Sequence, residues 1–197
     1  SGKQEAKIGG IWSRGENGQI IRNQMYPLIQ DLDSVAWPDY EVFGEKYADE
    51  AIEDGWVRVI SSRGCPYSCT YCHNVMFRDV FANELETTMG SMGFLRTRSV
   101  DSMIDEIKYI NRTHKIKVVN YIDDLFGIKK SRILEFCERF KKEIPSHIGF
   151  SVQTHFNYMD EESIFALRDA RCLRIQAAVE SGSQRVLDLY KRPTSPE

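Results

Sequence analysis

From Trp56 to the end of the chain, short β-branched runs alternate with stretches of helical periodicity. No other feature constrains the fold as tightly. WVRVIS (56–61), IKVVNYI (116–122), IGFSVQT (148–154) and LRIQAAV (173–179) read as strands. Behind the first of them, Val100, Met103, Ile104, Ile107 and Ile110 recur at helical spacing, with Ser99 placed as N-cap. Residues 131–143 carry a broad apolar stripe of Ile133, Leu134, Phe136, Cys137 and Phe140. Asp160 is placed to cap a helix over 161–171, and Ser181 with Gln184 forms a capping box for a last helix through Tyr190. Strands that alternate with helices imply βαβ units and a parallel sheet, an α/β fold. About four such units are too few for a closed eight-stranded barrel.

Residues 1–55 read differently, as a connector with a small hairpin ahead of a 56–197 core. Two short apolar segments in IGGIWSRGENGQIIR (8–22) flank Asn17-Gly18, a hairpin signal. Pro27 and Pro38 interrupt an extended linker over 23–39, and 45–54 is expected to be a short surface helix or irregular. Hydrophobic residues make up 42%, enough for a sizeable core. The formal net charge of -3 excludes a strongly basic nucleic-acid surface. No apolar run approaches the roughly 20 residues of a membrane span. With no export signal at the N-terminus, a cytoplasmic protein is expected.

Most of the chemistry is concentrated in RGCPYSCTYCHN (63–74). It holds three of the five cysteines, Cys65, Cys69 and Cys72, spaced C-x3-C-x2-C. A buried core segment would not intersperse Pro66, Tyr67, Ser68, Thr70 and Tyr71 among them. A structural zinc site needs four ligands, and His73 stands too close to Cys72 to complete a tetrahedron without strain. Cys137 and Cys172 read as core residues. Three thiolates also suit a cubane iron–sulfur cluster that leaves one iron open to a small molecule. The turn leaves the C-terminal end of the first strand, where α/β folds place their sites. A zinc-bearing structural module stays as the alternative.

This spacing in this place closely resembles the signature of the radical S-adenosylmethionine (SAM) superfamily. The resemblance implies a partial (β/α) barrel, here truncated to about four βα units, with a [4Fe-4S] cluster after strand one. It makes Cys65, Cys69 and Cys72 the ligands, with the amine and carboxylate of SAM on the fourth iron. Tyr71 matches the aromatic before the third cysteine and is expected against the cluster or adenine. IGGIWSRGENGQIIRNQ (8–24) and IQDLDSVAWPDYEVF (29–43) resemble the connector between a cobalamin-binding domain and a radical SAM core. RTRSVDSMIDEI (96–107), the pair Asp123-Asp124 and VESGSQRVL (179–187) are similar to further segments of that branch. The branch includes cobalamin-dependent methylases and the anaerobic magnesium-protoporphyrin ester cyclase. It shades into methylthiotransferase and elongator-type enzymes.

Residue roles follow from the resemblance. Glu180 is expected to accept from the ribose hydroxyls of SAM, with an ion pair to Arg174 as the plainer reading, and Ser181 to assist or only cap. Asp123 and Asp124 stand where the family has Gly-Gly-Glu. One of them would accept from the SAM amine, although DDLFG departs from that motif and an acidic loop start is the alternative. Gln153 shares the parity of Ser151 and would face SAM or substrate. His155 stands where related sequences often carry arginine. Arg96 and Arg98 would bind a carboxylate or pack on the connector. The implied reaction needs an external one-electron donor of flavodoxin or ferredoxin type. Reductive cleavage of SAM then gives a 5′-deoxyadenosyl radical that takes a hydrogen atom from a small molecule. Cobalamin, held by a domain absent from this chain, would serve methylation or cyclisation. A tRNA-modifying methylthiotransferase or elongator-type enzyme is the alternative, disfavoured by the lack of basic-aromatic tracts. The chain is expected to be a piece of a larger enzyme. An unpaired edge on its fourth strand would be open to a fragment dimer.

Overall fold

The computed structural model describes residues 8–40, 42 and 52–195. Strands β1 (Trp12–Arg14) and β2 (Ile20–Arg22) pair antiparallel as the expected hairpin. Gly18 in its turn holds φ +78°, a backbone conformation open to glycine. The chain then runs extended, broken by one 3-10 turn at Leu32–Ser34 that Asp31 caps. The helix weighed for 45–54 falls mostly outside the described residues, and Glu53–Gly55 is a 3-10 turn.

β3 (Trp56–Val59) is shorter than the sequence implied. It breaks at Ile60 because the Ser61 N–H donates to Asp123 Oδ1 at 2.9 Å. The chain resumes as β4 (Ser62–Arg63), which pairs antiparallel with β5 (Arg96–Thr97). Between those two strands lies α1 (His73–Glu84), a helix the periodicity did not announce. α2 (Val100–Thr113) follows, with the Ser99 side chain accepting from the Ser102 N–H as its cap. Then come β6 (Val118–Tyr121), α3 (Lys130–Glu143), β7 (Gly149–Thr154), α4 (Glu161–Asp169), β8 (Cys172–Ala177) and α5 (Gln184–Leu189). Asp160 caps α4 as its spacing implied. Ser181 does not cap α5. The N-cap position belongs to Ser183, whose N–H donates to Ser181 Oγ.

The main sheet has the order β3-β6-β7-β8, every pair parallel. Strands adjacent in sequence are therefore adjacent in space, as in the wall of a barrel. Val57, Val119, Tyr121, Phe150 and Val152 point from the sheet into a core closed by Met103, Ile104 and Ile107 of α2 and Phe136 and Phe140 of α3. Phe140 and Phe150 pack with ring centroids 4.7 Å apart, inside the range of favourable aromatic pairs. The other face is polar: Arg58, Asn120, Ser151 and Arg174 stand in register across it, with the Ser151 hydroxyl donating to Asn120 at 2.6 Å. Cys137 is buried in the core and Cys172 packs against it. Among the described residues no helix is long and apolar enough to cross a membrane.

Candidate functional site

The cysteine loop leaves β4 through Gly64, at φ +87°. A Cβ there would lie 2.4 Å from the Phe94 carbonyl oxygen, so only glycine fits without a shift. The Gly64 N–H donates to Asp124 Oδ2 at 3.0 Å. Asp123 is buried behind it, accepting from the Ser61 N–H and from both the Ser61 and Ser62 hydroxyls. Burial pushes its carboxyl pKa up, while the serine hydrogen bonds and Arg132 oppose that. Both aspartates thus help hold the segment that enters the loop, and Asp123 Oδ2 is buried without a partner.

Cys69 is buried, and Cys65 and Cys72 are half-buried; all three are free thiols. The Cys72 N–H donates to the Cys69 carbonyl at 3.0 Å, and Cys72 takes the N-cap position of α1. Burial pushes the Cys65 thiol up, and the nearby Cys72, Cys69 and Asp124 push it further. Arg192 Nη1 lies 3.9 Å from Cys69 Sγ. Among the described residues no three His, Cys, Asp or Glu side chains are gathered as a ready site for a single metal ion. Three free thiols on one short loop, with one guanidinium beside them, are a donor set that fits a thiolate-held iron–sulfur cluster.

Around the loop stand several of the other expected residues. Tyr71 is exposed, with its ring edge-on to Tyr190 at 5.1 Å. Desolvation, then a hydrogen bond to Glu180, push its hydroxyl pKa up. Glu180 itself sits at φ +67°, a strained position for a residue with a Cβ. Arg174 is not its partner but lies over the Trp56 ring at 5.6 Å. Gln153 is half-buried, opposite Gln176 at the end of β7, and its carbonyl accepts from the Phe126 N–H. Gln153 and Ser181 make no side-chain contact with the cysteine loop among the hydrogen bonds described.

Tyr67, Asn157 and Arg192 carry no sequence signal that marks them as site residues. Asn157 Nδ2 donates to the Tyr67 hydroxyl and to the Pro193 carbonyl, and Thr70 donates its N–H to the Tyr190 carbonyl, so residues 190–193 lie over the loop. His155, at the position where related sequences often carry arginine, is 2% exposed and packs on Tyr67 at 4.4 Å. Its Nδ1 accepts from the Asn157 N–H, its Nε2 has no partner, and burial lowers its pKa to about 4.

Residues 59–197 match the radical SAM superfamily. The chain belongs to that superfamily. An uncharacterized methyltransferase of Pyrococcus horikoshii is 26% identical over 92% of this chain and 36% of its own length. The anaerobic magnesium-protoporphyrin IX monomethyl ester cyclase of Rubrivivax gelatinosus is 24% identical over 96% of the chain and 32% of its own length. The solved structure of OxsB, described as a cobalamin-dependent S-adenosylmethionine radical enzyme, superposes with a TM-score of 0.69 at 20% identity. That match covers 98% of this chain and 27% of OxsB and shows the fold, a partial radical SAM (β/α) barrel. The chain spans about a third of the length of the curated relatives it matches.

Proposed function

We propose that this chain is the cluster- and SAM-binding part of a radical SAM enzyme that works with cobalamin on a small molecule. The observation that carries the reading is the three-thiol loop, set at the C-terminal end of a parallel sheet in a chain of this superfamily. Cys65, Cys69 and Cys72 would hold a [4Fe-4S] cluster, which when bound supplies the electron that cleaves the sulfonium of SAM. The protein's own residues bind and shield. Asp124 and Gly64 fix the loop entry, and Arg192 offsets thiolate charge. Glu180, released from Tyr71, would accept from the ribose hydroxyls of SAM. Residues 1–55 are read as the connector to a cobalamin-binding domain, a reading supported by the cobalamin dependence of OxsB.

The test is SAM binding by anaerobically reconstituted protein, read from the electron paramagnetic resonance spectrum of the reduced cluster. SAM should change that spectrum. Glu180→Gln should weaken the effect at least about tenfold, the loss of one charge-assisted hydrogen bond. A reduced cluster whose spectrum ignores saturating SAM would contradict the reading.

A further inference from the structure

A cleft of about 680 Å³, with no cysteine in its lining, opens between residues 26–38 and the β3 edge of the sheet. That volume falls within the roughly 300–1,000 Å³ of small-molecule sites. Its walls are mostly apolar, with Leu28, Val35 and Trp37 on the connector side and Ile60, Phe81 and Ile122 on the other. Arg58, Arg63, Arg96, Arg98 and Glu106 also line it.

Among the described residues the charges lining this cleft do not balance. Arg63 and Arg96 are direct cross-strand partners in the β4–β5 pair, a like-charge arrangement that costs stability. Neither is ion-paired to a carboxylate among the described residues. Glu106, the acid in the lining, is engaged by Arg98 in a buried ion pair. Arg96 donates one Nη1–H to the Ile29 carbonyl at 2.9 Å, but its buried Nε has no acceptor. Burial first, and then Arg63, push the Arg96 pKa down, so its charge is held against both. A carboxylate in the cleft would offset the repulsion between the two guanidinium groups. An inorganic anion would do so too, but would leave the apolar walls wet.

We propose that this cleft binds a small molecule with an apolar body and a carboxylate, the carboxylate lying against Arg63 and Arg96. A carboxylate on another polypeptide could meet the same charges. The small molecule is favoured because this chain already supplies both walls of the cleft. The inference does not depend on the cluster or on SAM, and its test uses neither.

The probes are octanoate, octanol and octylammonium, titrated into the purified protein without cluster reconstitution. Nitrogen–proton correlation spectra report the Arg96 Nε–H and the Trp37 indole N–H. Octanoate should shift both saturably and bind at least about tenfold tighter than octanol, about 1.4 kcal/mol. Octylammonium should shift neither. Arg63→Gln and Arg96→Gln should each weaken octanoate about tenfold, with unchanged circular dichroism. Should either variant fail to fold, the three-probe series on the unaltered protein decides alone. Equal binding of octanol and octanoate would overturn the proposal, as would octanoate affinity that survives both substitutions. Binding of an acidic apolar peptide without binding of octanoate would also overturn it and give the cleft to a polypeptide.

Discussion

Helices α1 and α2 both follow the first long strand, yet they are held in opposite ways. α2 buries Val100, Met103, Ile104, Ile107 and Ile110 against the sheet. α1 buries nothing among its residues, and Met76 and Phe77 stand 60% and 50% exposed. The first helix is tied down through its N-terminal loop, by Arg78 reaching the Ser68 hydroxyl and by the backbone bonds of Cys69 and Cys72. Packing holds one side of the molecule, and polar contacts, several of them distant in sequence, hold the side that carries the thiols. Regions held the second way sit at the low end of local stability, where binding loops are commonly found.

The contrast breaks most visibly in the core. Phe136→Ala should cost about 3–5 kcal/mol in denaturant unfolding, whereas Phe77→Ala on α1 should stay within about 0.5 kcal/mol. Equal losses would erase the distinction. A smaller effect comes from His155. Its pKa falls from 6.5 to about 4 in the folded protein, because burial disfavours the imidazolium. The unfolded chain therefore binds the proton more readily. The stability this residue contributes is present above pH 6.5 and lost as pH falls toward about 4, a change on the order of 1–3 kcal/mol. His155→Gln should flatten that part of the pH profile, and an unaltered profile would show that the imidazole is not desolvated. Smallest is the comparison of caps. Ser99→Ala should cost about 1 kcal/mol, and Ser183→Ala on α5, which makes no side-chain cap bond, should cost under about 0.5 kcal/mol.

The same division explains what could be read from the sequence. The first three strands of the sheet and the stripe from Ile133 to Phe140 are periodic signals made by burial, the Ser99 and Asp160 caps are short hydrogen-bonding signals, and all recur in the structure. α1 was invisible because a helix that buries no face leaves no narrow apolar stripe. Ser181 reads as the cap because two serines, 181 and 183, precede the same helix and only backbone geometry separates them. The cysteine spacing marked the loop. Nothing local in the sequence tells that Asp123 faces Ser61 and Ser62, or that Arg192 reaches Cys69 across 123 positions. Such contacts are set by the fold, so a motif can point to the site without naming the residues that brace it.

The central claim is that Cys65, Cys69 and Cys72 together hold an iron–sulfur cluster. Anaerobic reconstitution followed by iron, sulfide and zinc analysis tests it most directly. The account predicts about four iron and four sulfide per chain, as for a [4Fe-4S] cluster, and their loss when the three cysteines become alanine. Stoichiometric zinc without sulfide, or an iron and sulfide content that survives the triple substitution, would contradict it.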